Sequence, residues 1–356
     1  MSGEAVRWGI LGTADIATKF CHGATFAPSS VVVAVGSRSL DKAKAFVEAH
    51  APGATAYDSY DAVLADPQVE AIYIPLPTAL RKEWVLKAAR AKKHVDCEKP
   101  LGHTFQDAVD CIQACRDAGV QWMDNTMLMH HPRQAEMKEL LQRGELGRIK
   151  HVVSSFSLPC GNWEEWASSN IRMNAKTEPL GCLGDLGWYC TRITLWAYDW
   201  ELPQDVSCHF LELTDDGVPV TAHALLRYSD GRSATFDCSF KCSLRQWAEV
   251  VGEKRTMTWD DLCIPQSLEA TKYTVAEATI AERGITFPKI FSEDHHCAAC
   301  VQHGRLIENL STIIRSGQLD ETWAEKSLLT QRVVIACYTS GNVGGSWVRP
   351  SDVGGQ

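Results

Sequence analysis

The stretch VRWGILGTADIA, residues 6–17, decides how the chain is read. Residues 6–11 form a short apolar run that stops at Gly12. A helical pattern opens behind it in DIATKFCHGATF, with Ile16, Ala17 and Phe20 on one face. A dinucleotide-binding turn wants Gly-x-Gly-x-x-Gly/Ala between a first strand and a first helix: a tight turn, close approach of a pyrophosphate, then close helix packing. Gly12, Ala14 and Ala17 hold those three places, so the middle glycine is replaced by a residue one methyl larger. Gly12, Thr13, Ala14, Asp15 and Ile16 are therefore expected to meet the nucleotide. The competing reading, a plain strand-to-helix turn, loses ground because the motif heads a series of βαβ units.

That series follows at once. VVVAVGSRS reads as strand, LDKAKAFVEAH as helix, AIYIPLP as strand and TALRKEWVLKAARAKK as helix. HVDCEK then reads as strand, TFQDAVDCIQACRDAG as helix and VQWMDN as strand. The alternation predicts an α/β fold, a doubly wound parallel sheet of the Rossmann type, over residues 1–125. Beyond Asn125 the rhythm changes. EMKELLQRG is a helix, IKHVVSSFSL a strand and GCLGDLGWYCTRITLWAY a long apolar helix. DVSCHFLEL, VTAHALLRY, SATFDCSF, WAEVVG and KRTMTW alternate, the first three joined at TDDG and SDG. Residues 126–356 are thus expected to form an α+β domain with an open, mostly antiparallel sheet, closed by the helices CAACVQHGRLIENLSTIIRSG and EKSLLTQRVVIACYTSGN.

Composition narrows the function. With 35 Lys plus Arg against 44 Asp plus Glu the net charge is −9, and no basic cluster offsets it, which argues against nucleic-acid binding. The fourteen cysteines sit largely in apolar runs, as small hydrophobes do, so a reducing compartment is expected. The chain enters structure almost from its first residues and has no apolar stretch long enough to span a bilayer. The reading is cytoplasmic and without a membrane partner; a processed organellar form would read the same.

The end of the second strand selects the cofactor. An acid there holds the ribose 2′-hydroxyl of NAD, whereas small polar and cationic residues hold the 2′-phosphate of NADP. Ser37, Arg38 and Ser39 stand in that place, and the first acid, Asp41, already enters the next helix. NADP(H) is expected, with Arg38 forked on the phosphate. Pro75, Leu76 and Pro77 make a stiff loop at the carboxyl edge of the sheet, with Thr78 placed to cap the next helix. Glu98, Lys99 and Pro100 leave the neighbouring strand at the same edge. HHCAACVQH, residues 295–303, invites a metal reading, but two cysteines three apart on a helix cannot complete a tetrahedral cage, and no metal is assigned. In GDLGWY, Asp185, Trp188 and Tyr189 are spaced i, i+3 and i+4. A functional acid and tyrosine, or a helix cap and a buried tyrosine, fit that spacing equally.

Taken in order, GILGTADIA, SRSLDKAKAF, YIPLP, EKPLG, HHP and GDLGWY resemble the Gfo/Idh/MocA oxidoreductases over nearly the whole chain. The nearest likeness is to the dihydrodiol and NADP-dependent D-xylose dehydrogenase branch and to plant-type members. The resemblance implies that Lys99, often followed by a cis bond, projects toward nicotinamide and substrate, with Glu98 beside it. It implies that Asp185 and Tyr189 are the family's acid and tyrosine, and that Arg172, His131 and Trp188 stand on the substrate side. Trp163 and Trp166 are further stacking candidates, with core packing equally expected of each tryptophan. Met129 in place of an arginine, and Gly-Cys in place of Gly-Gly, depart from the family pattern and touch substrate class rather than fold. The implied chemistry is hydride transfer between nicotinamide and a carbinol or carbonyl of a sugar, polyol, dicarbonyl or trans-dihydrodiol. Tyr189 moves the hydroxyl proton, the Lys99 ammonium assists, and Asp185 orients. The implied assembly is a homodimer through the C-terminal sheet. The rival readings are an NADPH-binding regulator without turnover and a nicotinamide-recycling glycoside hydrolase.

Overall fold

A computed structural model describes residues 4–265, 270–279, 289–298 and 300–354. The chain divides into two compact units. One comprises the residues up to His130 with Lys176–Glu178 and Val301–Gln331; the other comprises His131–Ala175, Pro179–Cys300 and the chain from Arg332 onward. The first unit therefore takes back segments from well beyond residue 125.

Strand and helix alternate through the first unit: β1 (Val6–Leu11), α1 (Asp15–Ala24), β2 (Ser30–Gly36), α2 (Leu40–His50), β3 (Thr55–Tyr57), α3 (Tyr60–Ala65), β4 (Ala71–Ile74), α4 (Thr78–Arg90), β5 (His94–Cys97), α5 (Phe105–Ala118) and β6 (Trp122–Asp124). All six strands are parallel, in the order β3-β2-β1-β4-β5-β6. Parallel strands covered on both faces read as unbroken apolar runs, and AIYI of β4 is buried at every position. Helix ends follow local chemistry. α5 opens with a capping box in which Thr104 and Asp107 each accept the other's backbone N–H, and it closes at Gly119 with φ 68°. The short β3 and α3 have too few residues for a periodic signal and were not expected. The order reverses at β1, which pairs β2 on one side and β4 on the other, so the ligand crevice of such a sheet opens at the carboxyl ends of β1 and β4.

The second unit contains α6 (Pro132–Gln142), β7 (Ile149–Ser157), α7 (Trp163–Ser169), α8 (Trp188–Ala197), β8 (Asp205–Leu213), β9 (Pro219–Arg227), β10 (Ser233–Ser239), β11 (Arg245–Gly252), β12 (Thr256–Trp259), β13 (Ala270–Thr279) and β14 (Lys289–Ala298). Its eight strands are ordered β14-β13-β12-β11-β7-β10-β9-β8, antiparallel throughout except where β7 and β10 run parallel. α8 packs on β7 and β10 and covers one face. The α/β and mostly antiparallel α+β reading therefore holds.

α9 (Gln302–Ser316) and α10 (Thr322–Asn342) close the chain. One expectation is corrected here. His295, His296 and Cys297 belong to β14, where they pair with Tyr273, Lys272 and Thr271 of β13, and the helix begins only at Gln302. The run HHCAAC carries no period of its own, so pairing with β13 decides the state of His295, His296 and Cys297. α9 lies against α1 at a glycine contact, where a methyl group on Gly23 would stand 2.7 Å from His303 Cβ. No described helix is long and apolar enough to cross a membrane.

Candidate active site

The turn after β1 is built for close approach. Gly12 sits at φ 114°, a conformation that penalises any side chain, and its N–H donates to the Gly36 carbonyl at 2.8 Å. Ala14 is the N-cap of α1 and supplies no side-chain acceptor, which leaves the first amides of that helix for a ligand. Gly12, Thr13 and Ala14 form one wall of a groove of about 500 Å³, and Pro75, Leu76 and Pro77 form the facing wall. Asp15 and Ile16 lie just inside α1, outside the groove lining.

Ser37, Arg38 and Ser39 close the end of the groove at β2, together with Lys42 and Tyr60. Ser39 caps α2, accepting the Lys42 N–H at 3.4 Å, and this cap turns the first turn of α2 toward the groove. Tyr60 packs edge-on against Trp84. Burial pushes the Tyr60 hydroxyl up, and the Arg38 charge pulls it back. Among the described residues, no acid lines the groove. Lys42 and Tyr60 went unnoticed in the sequence. The cap at Ser39 was the available signal for Lys42, and nothing local singled out Tyr60.

At the next edges, Thr78 is the first residue of α4 and Pro77 is its cap position, which corrects the expectation that Thr78 caps the helix. The Thr78 N–H and hydroxyl instead donate to Glu178 at 2.8 and 2.5 Å. Beyond β5, Glu98 and Lys99 are both buried, and the Lys99–Pro100 bond is cis. Tyr73, stacked on Phe20, donates its hydroxyl to Glu98 Oε1 at 2.8 Å. Burial pushes the Glu98 carboxyl above its ordinary range. The charges of Lys99 and Arg81 and the Tyr73 hydrogen bond oppose that shift. Gln331 of α10 fixes the far side of this segment, accepting the Leu101 N–H and donating to the Gly102 carbonyl, each at 3.0 Å.

In the second unit, Asp185 lies in a π-helical turn, Leu183–Gly187, that runs directly into α8. The expected α-helical face is therefore wrong in detail: the wider turn changes where Asp185 points relative to Tyr189, and Asp185 lies inside the turn, whose cap position is Cys182. Single π turns recur at functional sites. Arg172 Nε donates to Asp185 Oδ2 at 2.6 Å. Tyr189, in the first turn of α8, packs edge-on against Phe156. Trp188 is fully buried with the Arg192 guanidinium over its ring, the core packing that was expected equally of each tryptophan. His131 is also buried. Its Nδ1 accepts the Arg133 N–H at 3.1 Å as the N-cap of α6, a structural role that the His-Pro pair did not announce. Trp163 and Trp166 are half-buried in a ladder with Phe240, and Lys241 sits over the Trp163 ring.

A doubly wound sheet with a glycine turn, an uncapped first helix and a cation-lined groove defines a dinucleotide-binding oxidoreductase fold joined to a sheet-based second unit. Residues 6–126 match the oxidoreductase family model described as an NAD-binding Rossmann fold, and residues 134–258 match the GFO/IDH/MocA C-terminal domain. The chain is 30% identical over 345 residues to the NADP-dependent D-xylose 1-dehydrogenase 2 of Haloferax volcanii, covering 95% of this chain and 98% of the relative. It is 26% identical to the trans-1,2-dihydrobenzene-1,2-diol dehydrogenase of Xenopus laevis, covering 84% and 90%. A 3-ketoreductase from Actinomadura kijaniata, solved with NADP and TDP-benzene, superposes with a TM-score of 0.82 at 27% identity, covering 95% and 98%. The chain belongs to the Gfo/Idh/MocA oxidoreductase family, and its first unit is an NAD(P)-binding Rossmann domain.

Proposed function

We propose that the protein is an NADP(H)-dependent dehydrogenase or reductase of CH–OH and C=O groups, with a sugar, polyol, dicarbonyl or trans-dihydrodiol as substrate. The observation that carries the cofactor is the end of the groove: Arg38 and Lys42 with Ser37 and Ser39, and no acid among the described residues. That set suits a 2′-phosphate and offers a ribose 2′-hydroxyl no carboxylate partner. The turn at Gly12 and the first amides of α1 suit the pyrophosphate. When bound, nicotinamide supplies or accepts the hydride. The chain's own residues handle the proton. Tyr189 gives it to, or takes it from, the substrate oxygen; the Lys99 ammonium stabilises the charge that develops there; Asp185, held by Arg172, orients the substrate hydroxyl. The substrate class is supported by the D-xylose and dihydrodiol dehydrogenases among the relatives. The residue roles are supported by the ketoreductase, solved also with single substitutions at a lysine and at a tyrosine. The same reading places a second copy of the chain on the open face of the eight-stranded sheet.

The test is a panel of aldoses, uronic acids, dicarbonyls and trans-dihydrodiols with NADPH or NADP⁺, followed by NADPH absorbance. Turnover with at least one class, and tighter binding of NADPH than of NADH, is the expected result. Binding of NADPH with no turnover on any class points to the regulator instead. Equal affinity for NADH and NADPH removes the cofactor assignment.

A further inference from the structure

We propose that Arg81, on the inner face of α4, is a positioning residue: one buried guanidinium ties the Pro75–Pro77 edge, which lines the nucleotide groove, to the Glu98–Pro100 edge, which carries Lys99. The proposal rests on the reading that this groove holds NADP(H). Its basis is geometric. Arg81 is only 6% exposed. Its Nε donates to the Leu76 carbonyl at 2.8 Å, and its Nη1 donates to the Pro100 carbonyl at 2.5 Å and to Thr78 Oγ1 at 2.8 Å. Its Nη2 faces Glu178 Oε1 at 3.8 Å, the same carboxylate that accepts the Thr78 N–H and hydroxyl. One planar fork thus meets backbone carbonyls from the segments that follow β4 and β5.

Burying an arginine is costly unless its donors and charge are matched, so the site must return something for that cost. The neighbouring Lys82 shows the ordinary alternative: on the outer face of α4, it pairs with Asp107 at 2.9 Å and Asp110 at 2.6 Å. Leu76 lies in the groove wall, and Pro100 follows Lys99 directly, so the guanidinium sets how far the lysine stands from the bound nucleotide. Its rigid five-donor geometry is what a lysine cannot reproduce, because one ammonium cannot hold the same divergent acceptors at once. The Arg81 charge also faces Glu98, the partner of Tyr73, and favours its ionised form.

The experiment compares the wild type with Arg81→Lys and Arg81→Gln. NADPH affinity is measured by fluorescence titration and backbone amide exchange by mass spectrometry. Turnover is expressed per NADPH-binding site, so that unfolded protein is not counted. If the wild type fails to bind NADPH, the underlying reading fails and the proposal with it. With binding intact, Arg81→Lys is expected to raise exchange together at the Thr78 amide and at the amides of Glu98, Lys99 and Leu101. NADPH affinity should change only a fewfold, and kcat per site should fall by roughly a hundredfold, the scale of a small misplacement of a reacting group. A lower melting temperature with kcat per site unchanged would mean that Arg81 only stabilises the fold, and the proposal is overturned. Faster exchange confined to one of the two segments, or spread over the whole first unit, overturns it as well. Should Arg81→Gln fail to fold, Arg81→Lys keeps charge and length and decides between the same outcomes.

Discussion

At the scale of the residue, the first unit separates two tasks. Arg38 and Lys42 line the groove at its β2 end, where the proposed function puts the 2′-phosphate, and Lys99 stands buried beside Glu98. Arg38→Ala should therefore weaken NADP more than NAD, by about ten- to a hundredfold, the worth of one charge-assisted contact. Isothermal titration with both cofactors checks this, and equal losses remove Arg38 from the 2′-phosphate. Tyr189→Phe deletes one oxygen and keeps the ring that packs edge-on against Phe156. If the hydroxyl carries the substrate proton, kcat falls by roughly 10²–10⁴ with the melting temperature nearly unchanged. If it is a core hydrogen-bond donor, stability falls by about 1 kcal/mol and kcat holds. Measuring both quantities on the one variant separates these outcomes, and the catalytic one is expected.

At the scale of the element, β5 carries a buried acid that the proposed chemistry does not use. Asp96 is fully buried, and its Oδ2 accepts from Asn125 Nδ2 at 2.8 Å. Among the described residues its Oδ1 has no hydrogen-bond partner. Burial pushes this carboxyl well above its ordinary value of 3.8, outweighing the Asn125 hydrogen bond that lowers it. The sign follows from linkage. A carboxyl raised on folding favours the protonated native state, so its contribution is fully present at acid pH and is lost as pH rises through the raised value. Asp96→Asn keeps the shape and cannot ionise. It should raise stability by about 1–3 kcal/mol at pH 8, the usual cost of an unmatched buried polar group. The gain should shrink as pH falls toward 3.8. Urea melts of both proteins across that range test it; a gain independent of pH rules out ionisation of Asp96 as the cause.

At the scale of the whole molecule, the eight-stranded sheet has one face under α8 and another that alternates into solvent. On that second face Leu225, Thr235, Val153 and Glu249 form a cross-strand row, each half-exposed. Further along the edge strand β8, Leu211 and Leu213 are 59% and 47% exposed. A broad, mixed apolar and polar strip of this kind fits an isologous contact, in which the same strip meets itself across a two-fold axis. A dimer at micromolar concentration is expected by light scattering, and Val153→Glu should shift it toward monomer. A wild-type monomer under those conditions removes the proposed assembly.

The sequence by itself determined the α/β architecture, the first-turn motif, the open sheet and the family, because each rests on local signals. Apolar runs with period 2 or 3.6, caps such as Thr104 with Asp107 and turn signals such as TDDG act within a few residues of chain. The tertiary structure alone decided the rest. His295, His296 and Cys297 became strand because β13 pairs with them, and strand pairing is non-local. Trp188 and His131 went inward because tertiary packing, not residue type, sets which side chains are covered. The turn at Asp185 widened to a π turn, which the i, i+3, i+4 spacing did not announce. Arg81 and Lys82 are adjacent basic residues on one helix, and sequence cannot tell them apart. Only the loops after β4 and β5, brought together by strands paired across the sheet, supply the carbonyls that make one of them a buried strut and leave the other a surface charge.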